Sequence, residues 1–547
     1  MLLSSFLEVT TFSFVNASNF AKSSLAPVNL KYTPRTADIM KTKAPVFVRD
    51  ATGLRKEVSL LDAVALNVSN MSSGTAIAVI GFTLAILPSL SGVNLLGTTV
   101  IGFLFSIPEI VVYTMLTERM PRTGGDYIWM SRTLGPIGAP LTFAEYIWGQ
   151  FSFLALIALS TVFAIGSVFL TMGNQGATGI AVPGMNPSGQ FLIGAVIFTL
   201  LMLVNVFKPK YGYRLVTVCL IFGMLAFALA IVAIVYGGPQ GVGNYVNSLD
   251  ANLTYTNLAS AYSGPTFSLG PSVFILPVFA AFTFPWLNAG PGVASELKGG
   301  KRTVKWNVLI GAIVSFAVLF VGFGTMYAVG GFAFTTEALA NSTLVFNYSF
   351  NFWTWAMGVS PSPVVAWIIG LGWIVWNIAI LAYAIIIVSR YIFAQAFDRV
   401  LPEKFAYVSE KYGSPVYGLL LVYIITTVVI GLTSYLYGTF TSLYGTWILG
   451  MSYFALVGIV AVIYAMKNEK GGARTILSVS GILMAAVFIF LAYQFIASPA
   501  VWGGNMLAYG YIIAGLVIGA VIYLASWQYH KKIGIDISLA FKQVPPE

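Results

Sequence analysis

Two stretches of the 547-residue chain place polar and helix-breaking residues inside otherwise apolar runs. The first, LLDAVALNVSNMSSGTAIAVIGFTLAILP from Leu60, carries Asn67, Ser69, Asn70, Ser72, Ser73 and Gly74 near its middle. The second, PSVFILPVFAAFTFPWLNAGPGVASELKGG from Pro271, carries Pro277, Pro285, Asn288, Gly290, Pro291 and Gly292. In hydrocarbon an unpaired backbone group is costly, so non-helical backbone survives where it lines a cavity that supplies partners. Each break therefore points to a binding site, against the plainer reading that small residues let helices pack and proline kinks them. Two carboxylates also sit inside apolar runs, Glu109 in SIPEIVVY and Glu145 in LTFAEYIWG, with no Lys or Arg beside them. Such groups serve either as proton carriers or as hydrogen-bonded structural partners. Asn377, in WIVWNIAILAYAIIIVSR, is a lone amide that either faces a site or bonds a neighbouring helix.

The elements that must hold these groups follow from composition. Charged residues make up 8% of the chain and hydrophobic ones 58%, with a mean hydropathy of +0.85. Soluble domains carry about 25% charged residues, so most of this surface must face lipid. A single cysteine, Cys219, excludes a disulfide framework. A single histidine, His530, read as an interfacial residue, excludes the usual zinc and iron sites. No metal and no cofactor is expected, and no G-x-x-x-x-G-K-[ST] string marks an ATP site.

All 28 Lys and Arg fall in seven zones: 22–56, 119–132, 208–214, 298–305, 390–411, 467–474 and 531–542. Each gap between zones is long enough for two helical crossings, with turn chemistry such as GGPQGVGN at 237 and GVSPSP at 358 near its middle. Six hairpins predict an all-α protein of twelve transmembrane helices with every basic residue on one side. The positive-inside rule makes that side the cytoplasm and both termini cytoplasmic, in a multi-pass protein of the cell membrane. The net charge of +10 is then an orientation signal, and no nucleic acid partner is implied. Residues 1–56 read as a largely disordered cytoplasmic tail, 57–530 as the membrane domain and 531–547 as a cytoplasmic C-terminal tail. Asp62, Asp126, Glu296 and Asp398 fall at helix ends or loops of the basic side, where solvated pairing with Arg122, Lys298 or Arg399 is expected.

Five segments resemble the amino acid-polyamine-organocation superfamily of permeases. They are LRKEVSLLDAVALNV at 54, MSSG at 71, YTMLTERMPRTGGDYIWMSRTLG at 113, FTFPWLNAGPGVASELKGGKR at 282 and SRYIFAQAFDRVLPEKFAYVSEKYGSPV at 389. The resemblance implies the fold of the bacterial leucine transporter. That fold is an inverted 5+5 repeat, here about 57–237 and 271–466, with helices 11 and 12 added at about 475–530. The breaks fall in helices 1 and 6, repeat-equivalent positions that favour a midplane site. By the same resemblance the substrate carboxylate meets the turn at Ser72, Ser73 and Gly74. The amino group meets carbonyls around Asn70 and Met71 and around Phe282, Thr283, Phe284 and Pro285, and Phe282 is a gating aromatic. Trp286 stands where relatives have a small residue, Asn288 where a Glu is common, and Met115 where helix 2 has a Glu.

The expectation is a secondary transporter, not an enzyme, that moves neutral, apolar or aromatic amino acids by alternating access. The rival is a permease or exchanger for a polyamine or another small amine or zwitterion, which a carboxylate facing the site favours. From another class, a membrane-embedded sensor would need a signalling domain. Protons rather than sodium are the expected coupling partner. In relatives with a structural sodium site helix 8 supplies hydroxyls, whereas Ile380 to Val388 here has no Ser or Thr. Glu109 is the first candidate to carry the proton and Glu145 the second. Membrane lipid is the remaining partner.

Overall fold

The computed structural model describes residues 52–87, 90–182, 184–436 and 446–546, all within one unit, Pro45–Glu547. The expected tail at 1–56 lies almost wholly outside the described residues. Ser59 and Asp62 form a capping box at the start of α1 (Leu60–Asn70), each side chain bonding the other's amide at 3.2 and 3.0 Å. The chain turns at Met71 and Ser72 and restarts as α2 (Ser73–Thr83). It continues as α3 (Leu95–Arg119) and α4 (Asp126–Leu134). Short turns, including a π-helical turn at Ala144–Gly149, lead into α5 (Gln150–Thr171). Then come α6 (Pro187–Phe207) and α7 (Pro209–Leu249).

The second interrupted stretch gives α8 (Leu269–Phe274), α9 (Leu276–Phe282), a non-helical segment and the single turn α10 (Ala289–Gly292). The chain ends with α11 (Gly300–Gly330), α12 (Pro363–Phe397), α13 (Val416–Tyr435), α14 (Trp447–Asn468), α15 (Gly471–Ala497) and α16 (Met506–Lys532).

Among the described residues eleven helical segments are long and apolar enough to cross a membrane, α1–α2 counted as one, and Leu269–Phe282 is a shorter apolar helix. The protein is thus an all-helical, multi-pass membrane protein. The most apolar window of α1–α2 is 94% buried and that of α12 83%, against 28% for α15 and 17% for α16, which puts the two former at the centre and the two latter outside. Outer helices show lipid-facing stripes at helical spacing, Leu192, Val196, Leu200 and Leu203 on α6 and Leu420, Ile424, Val428 and Leu432 on α13. Small residues let α14 and α15 touch along their backbones. A Cβ on Gly481 would lie 2.6 Å from the Gly458 carbonyl.

The six basic zones from residue 119 onward meet in space. The Val58 amide donates to Glu296 O and the Lys298 amide to Val58 O, at 3.0 and 2.7 Å. Glu296 pairs with Arg390 at 2.8 Å and accepts from the Tyr213 hydroxyl at 2.6 Å. Arg132 pairs with Asp398 and Arg119 with Glu469. Arg132 Nε also donates to Gln543 O at 2.9 Å and Arg122 Nε to Pro545 O at 2.7 Å. One end of the bundle therefore gathers the basic residues.

The turn expected at 237 is a kink at Gly238 (φ 61°), after which Pro239 starts a second helical segment of α7 that ends at Leu249. His530, near the end of α16, is buried with its Nδ1 2.8 Å from Ser526 O. One expectation is corrected. Asp126, Glu296 and Asp398 are buried, with partners other than those expected.

Candidate functional site

At the first break Ser72 adopts φ 52°, a left-handed conformation that costs a non-glycine residue about 1 kcal/mol. Its hydroxyl offsets part of this by approaching Ser69 O at 3.3 Å and Asn70 O at 3.2 Å. The Ser72 carbonyl accepts from the amides of Thr75 and Ala76, while those of Ser73 and Gly74, the first two of α2, take no part in the bonds that bridge the break. The break thus leaves a helix N-terminus with donors to spare. Met71 is fully buried and Ser73 Oγ is buried without a partner. Gly74 is needed for close packing: an added Cβ would come within 2.1 Å of the Trp376 indole, and Trp353 Nε1 donates to the Gly74 carbonyl at 2.7 Å.

At the second break Thr283 leaves helical geometry (φ −145°, ψ −81°), its hydroxyl buried without a partner. Sequence reasoning marked Trp286 as out of place, and its contacts account for it. The indole N–H donates to Ala280 O and Ala281 O at 3.0 and 3.2 Å, capping carbonyls that the helix end leaves open. Its ring packs edge-on against Trp447 and Phe454. Asn288, two residues on, ties the breaks together by accepting from Asn70 Nδ2 at 2.8 Å. A parallel tie joins Asn67 Oδ1 to the Gly290 amide at 2.9 Å.

Beside the breaks lies a cavity of about 500 Å³. Small-molecule sites occupy about 300–1,000 Å³. Thr75, Val79 and Phe82 of α2, Phe282 at the end of α9, Trp373 and Asn377 of α12, and Trp447 of α14 border it, with Glu145 and the hydroxyls of Ser152, Ser160 and Ser167 along α5 and the turn before it. Four of its residues hold buried polar atoms without a partner among the described residues: Thr75 Oγ1, Asn377 Oδ1, and the indole nitrogens of Trp373 and Trp502. Two acceptors and two N–H donors beside an otherwise apolar, aromatic wall suit a small molecule with both polarities. The Glu145 carboxyl forms no hydrogen bond among the described residues and sits beside Gly450, whose added Cβ would be 3.3 Å from Oε1. The π-helical turn that carries it is a local device common at functional sites.

Glu109 stands apart. With Phe284 and Pro285 it borders a second cavity of about 20 Å³, room for about one water, and both of its carboxyl oxygens are buried without a partner among the described residues. The expected residues therefore divide three ways. Phe282, Asn377 and Glu145 border the large cavity; Glu109, Phe284 and Pro285 the small one; Asn70, Met71, Ser72, Ser73, Gly74, Thr283, Trp286 and Asn288 are buried and border neither. The aromatic wall, Trp373, Trp447 and Trp502, was not singled out from sequence, because indoles at lipid interfaces look the same in a string of letters. Nor was the Asp126 cluster, in which Tyr113, Tyr146 and Tyr391 all donate to one carboxylate.

Comparison with known proteins agrees with this geometry. Over 488 residues, 87% of this chain and 96% of the other, the protein is 23% identical to uncharacterized protein 399 of Sulfolobus islandicus rod-shaped virus 1. The profile of the amino acid permease family matches residues 58–522, a span that contains both breaks and both cavities. The chain belongs to the amino acid permease family and, with its bundle of membrane-length helices, is a transporter.

Proposed function

We propose that the protein is a secondary transporter that moves neutral, apolar or aromatic amino acids across the cell membrane by alternating access in the twelve-helix, inverted-repeat arrangement, coupled to protons. The observation that carries this reading is the large cavity, which reaches Thr75 after the first break and Phe282 before the second. A zwitterion there has the indole donors of Trp373 and Trp502 for its carboxylate and Thr75 or Asn377 oxygens for its ammonium group. Rings of Phe282, Trp373 and Trp447 receive an apolar side chain. With the basic end cytoplasmic by the positive-inside rule, the paired charges close the cytoplasmic side.

A second reading is favoured by one observation. Glu145 borders the cavity with a carboxyl that no cation pairs among the described residues, the arrangement a polyamine or other small amine requires. Uptake into proteoliposomes of labelled leucine, phenylalanine and a diamine, each under an inward proton gradient in sodium-free buffer, separates the two. Leucine or phenylalanine uptake that persists in Glu145→Gln supports the first reading. Diamine uptake that Glu145→Gln abolishes replaces it with the second. For coupling, Glu109→Gln should remove the dependence on the proton gradient, and a strict sodium requirement would refute proton coupling.

Sidedness has its own test. Single cysteines near Asn252 and Asn347 should react with an impermeant reagent added outside, and one at Lys404 should not. The reverse pattern would invert the topology.

A further inference from the structure

The Asp126 carboxylate lies in the basic half of the bundle, fully buried, with no ion pair among the described residues. Oδ1 accepts from the Tyr391 hydroxyl at 2.5 Å, and Oδ2 from Tyr113 at 2.8 Å and Tyr146 at 3.0 Å. From Tyr391 the bonds continue away from it. Asn288 Nδ2 donates to the Tyr391 oxygen at 3.3 Å, Asn70 Nδ2 to Asn288 Oδ1 at 2.8 Å, and the Tyr383 hydroxyl to Asn70 Oδ1 at 2.6 Å. Every donor in this row points toward Asp126.

We propose that Asp126 is a proton-sensing positioning residue whose charge sets the direction of this hydrogen-bond row, and so the groups presented at the break beside Asn70. An ionised carboxylate only accepts, so Tyr391 must spend its hydrogen on it and can only accept from Asn288. That fixes the Asn288 amide with Oδ1 toward Asn70, and Asn70 with Oδ1 toward Tyr383. Adding one proton to Oδ1 makes it a donor to the Tyr391 oxygen. Tyr391 then donates to Asn288, both amides turn over, and Asn70 presents Nδ2 to the Tyr383 oxygen. The Tyr383 hydrogen is freed, so one proton gained at Asp126 appears as one donor released at the break. Low local polarity makes such a row respond as a unit.

The proton has a route. Asp126 follows Gly124 and Gly125, whose backbone lies against α10. The Gly124 amide donates to Gly292 O at 2.9 Å, Thr123 bonds Ser295, and a Cβ on Gly125 would meet the Pro291 carbonyl carbon at 3.0 Å. Parting this contact uncovers Asp126 from the basic end. The titratable groups that face it are Glu109 and Tyr113 from α3, Glu145 and Tyr146 from the π turn, Tyr391 from α12 and Tyr453 from α14. The nearby Arg132 and Arg390 are committed to Asp398 and Glu296.

The inference deepens the transport reading but is tested without a substrate. Infrared difference spectra of the full chain in liposomes, taken between acid and neutral pH, should contain a carboxyl band lost in Asp126→Asn and side-chain amide bands that change with it. Tyr391→Phe, which deletes one hydroxyl, should keep a titrating carboxyl and abolish the amide response. Amide bands that still respond in Tyr391→Phe, or that never respond in the wild type, would overturn the proposal even if Asp126→Asn fails to fold. Should the spectra behave as expected while no labelled amino acid or diamine is taken up, the transport reading fails and the proton switch stands. In uptake assays Tyr391→Phe should flatten the pH profile, and a profile that keeps its wild-type slope would overturn the link between the row and transport.

Discussion

The two ends of the bundle treat polarity in opposite ways. At the basic end charge is matched: Arg390 holds Glu296 with Tyr213 as a third partner, Arg132 holds Asp398, and Arg119 holds Glu469. Two main-chain bonds through Val58 close the same region. Toward the cavity the groups are neutral or unmatched among the described residues, with Thr75, Asn377, Trp373 and Trp502 keeping buried atoms unpaired and Glu145 lacking a cation. Unpaired buried atoms also occur within the basic zones, at Trp129 and Gln395, so it is the pairing of charge that separates an end held shut from a cavity that receives a partner.

Breaking the matched end should have the largest effect. Arg390→Ala strands the Glu296 carboxylate, and removing one member of a buried pair costs about 3–5 kcal/mol. Thermal denaturation in detergent should register it, and joint replacement of both residues by Met should recover most of the loss. An Arg390→Ala protein of wild-type stability would mean that the pair is no part of the closure.

The next effect lies at the junction of the two regions. Gly74→Ala drives a Cβ into the Trp376 indole, and overpacking costs about 1–3 kcal/mol. If the glycine serves packing alone, Gly74→Ala combined with Trp376→Ala should bind substrate again. If its backbone must also meet the substrate, stability should return without binding. Smaller still, Phe282→Ala removes a ring from the cavity border and should weaken binding about tenfold, about 1.4 kcal/mol, with the melting temperature little changed. Equal losses of stability and affinity would make Phe282 a core residue instead.

The contrast was partly legible in the sequence. Breaks in hydrocarbon announce themselves because Asn, Ser, Gly and Pro are costly there, and they stand where the letters put them, at Ser72 and Thr283. The gathering of the basic zones at one end followed from spacing alone. What was not legible is which neighbour answers each polar group. Asp126 sits in the quoted string TGGDYIW, yet its tyrosine partners come from residues 113, 146 and 391, a pairing that only tertiary packing defines. Trp286 looked like an obstruction in the site because a sequence does not show that its N–H caps two carbonyls.

The smallest effect tests where the closed end begins. Its first described contributions come from Val58, through the amide to Glu296 O and the carbonyl to Lys298, and from Ser59, which caps α1. The family match likewise starts at residue 58. Deleting residues 1–45 removes none of these contacts and should leave membrane insertion, thermal stability and uptake unchanged. Deleting through residue 59 removes two main-chain bonds and an N-cap, the latter alone worth about 1 kcal/mol, and should loosen the basic end. A cysteine placed at Ser295, next to the Glu296 whose carbonyl Val58 bonds, should then react faster with a thiol reagent added on that side. Equal reactivity in the two truncations would show that charge pairing alone holds the end shut. Loss of uptake in the shorter truncation, at normal membrane levels, would give residues 1–45 a regulatory part that the closed end does not explain.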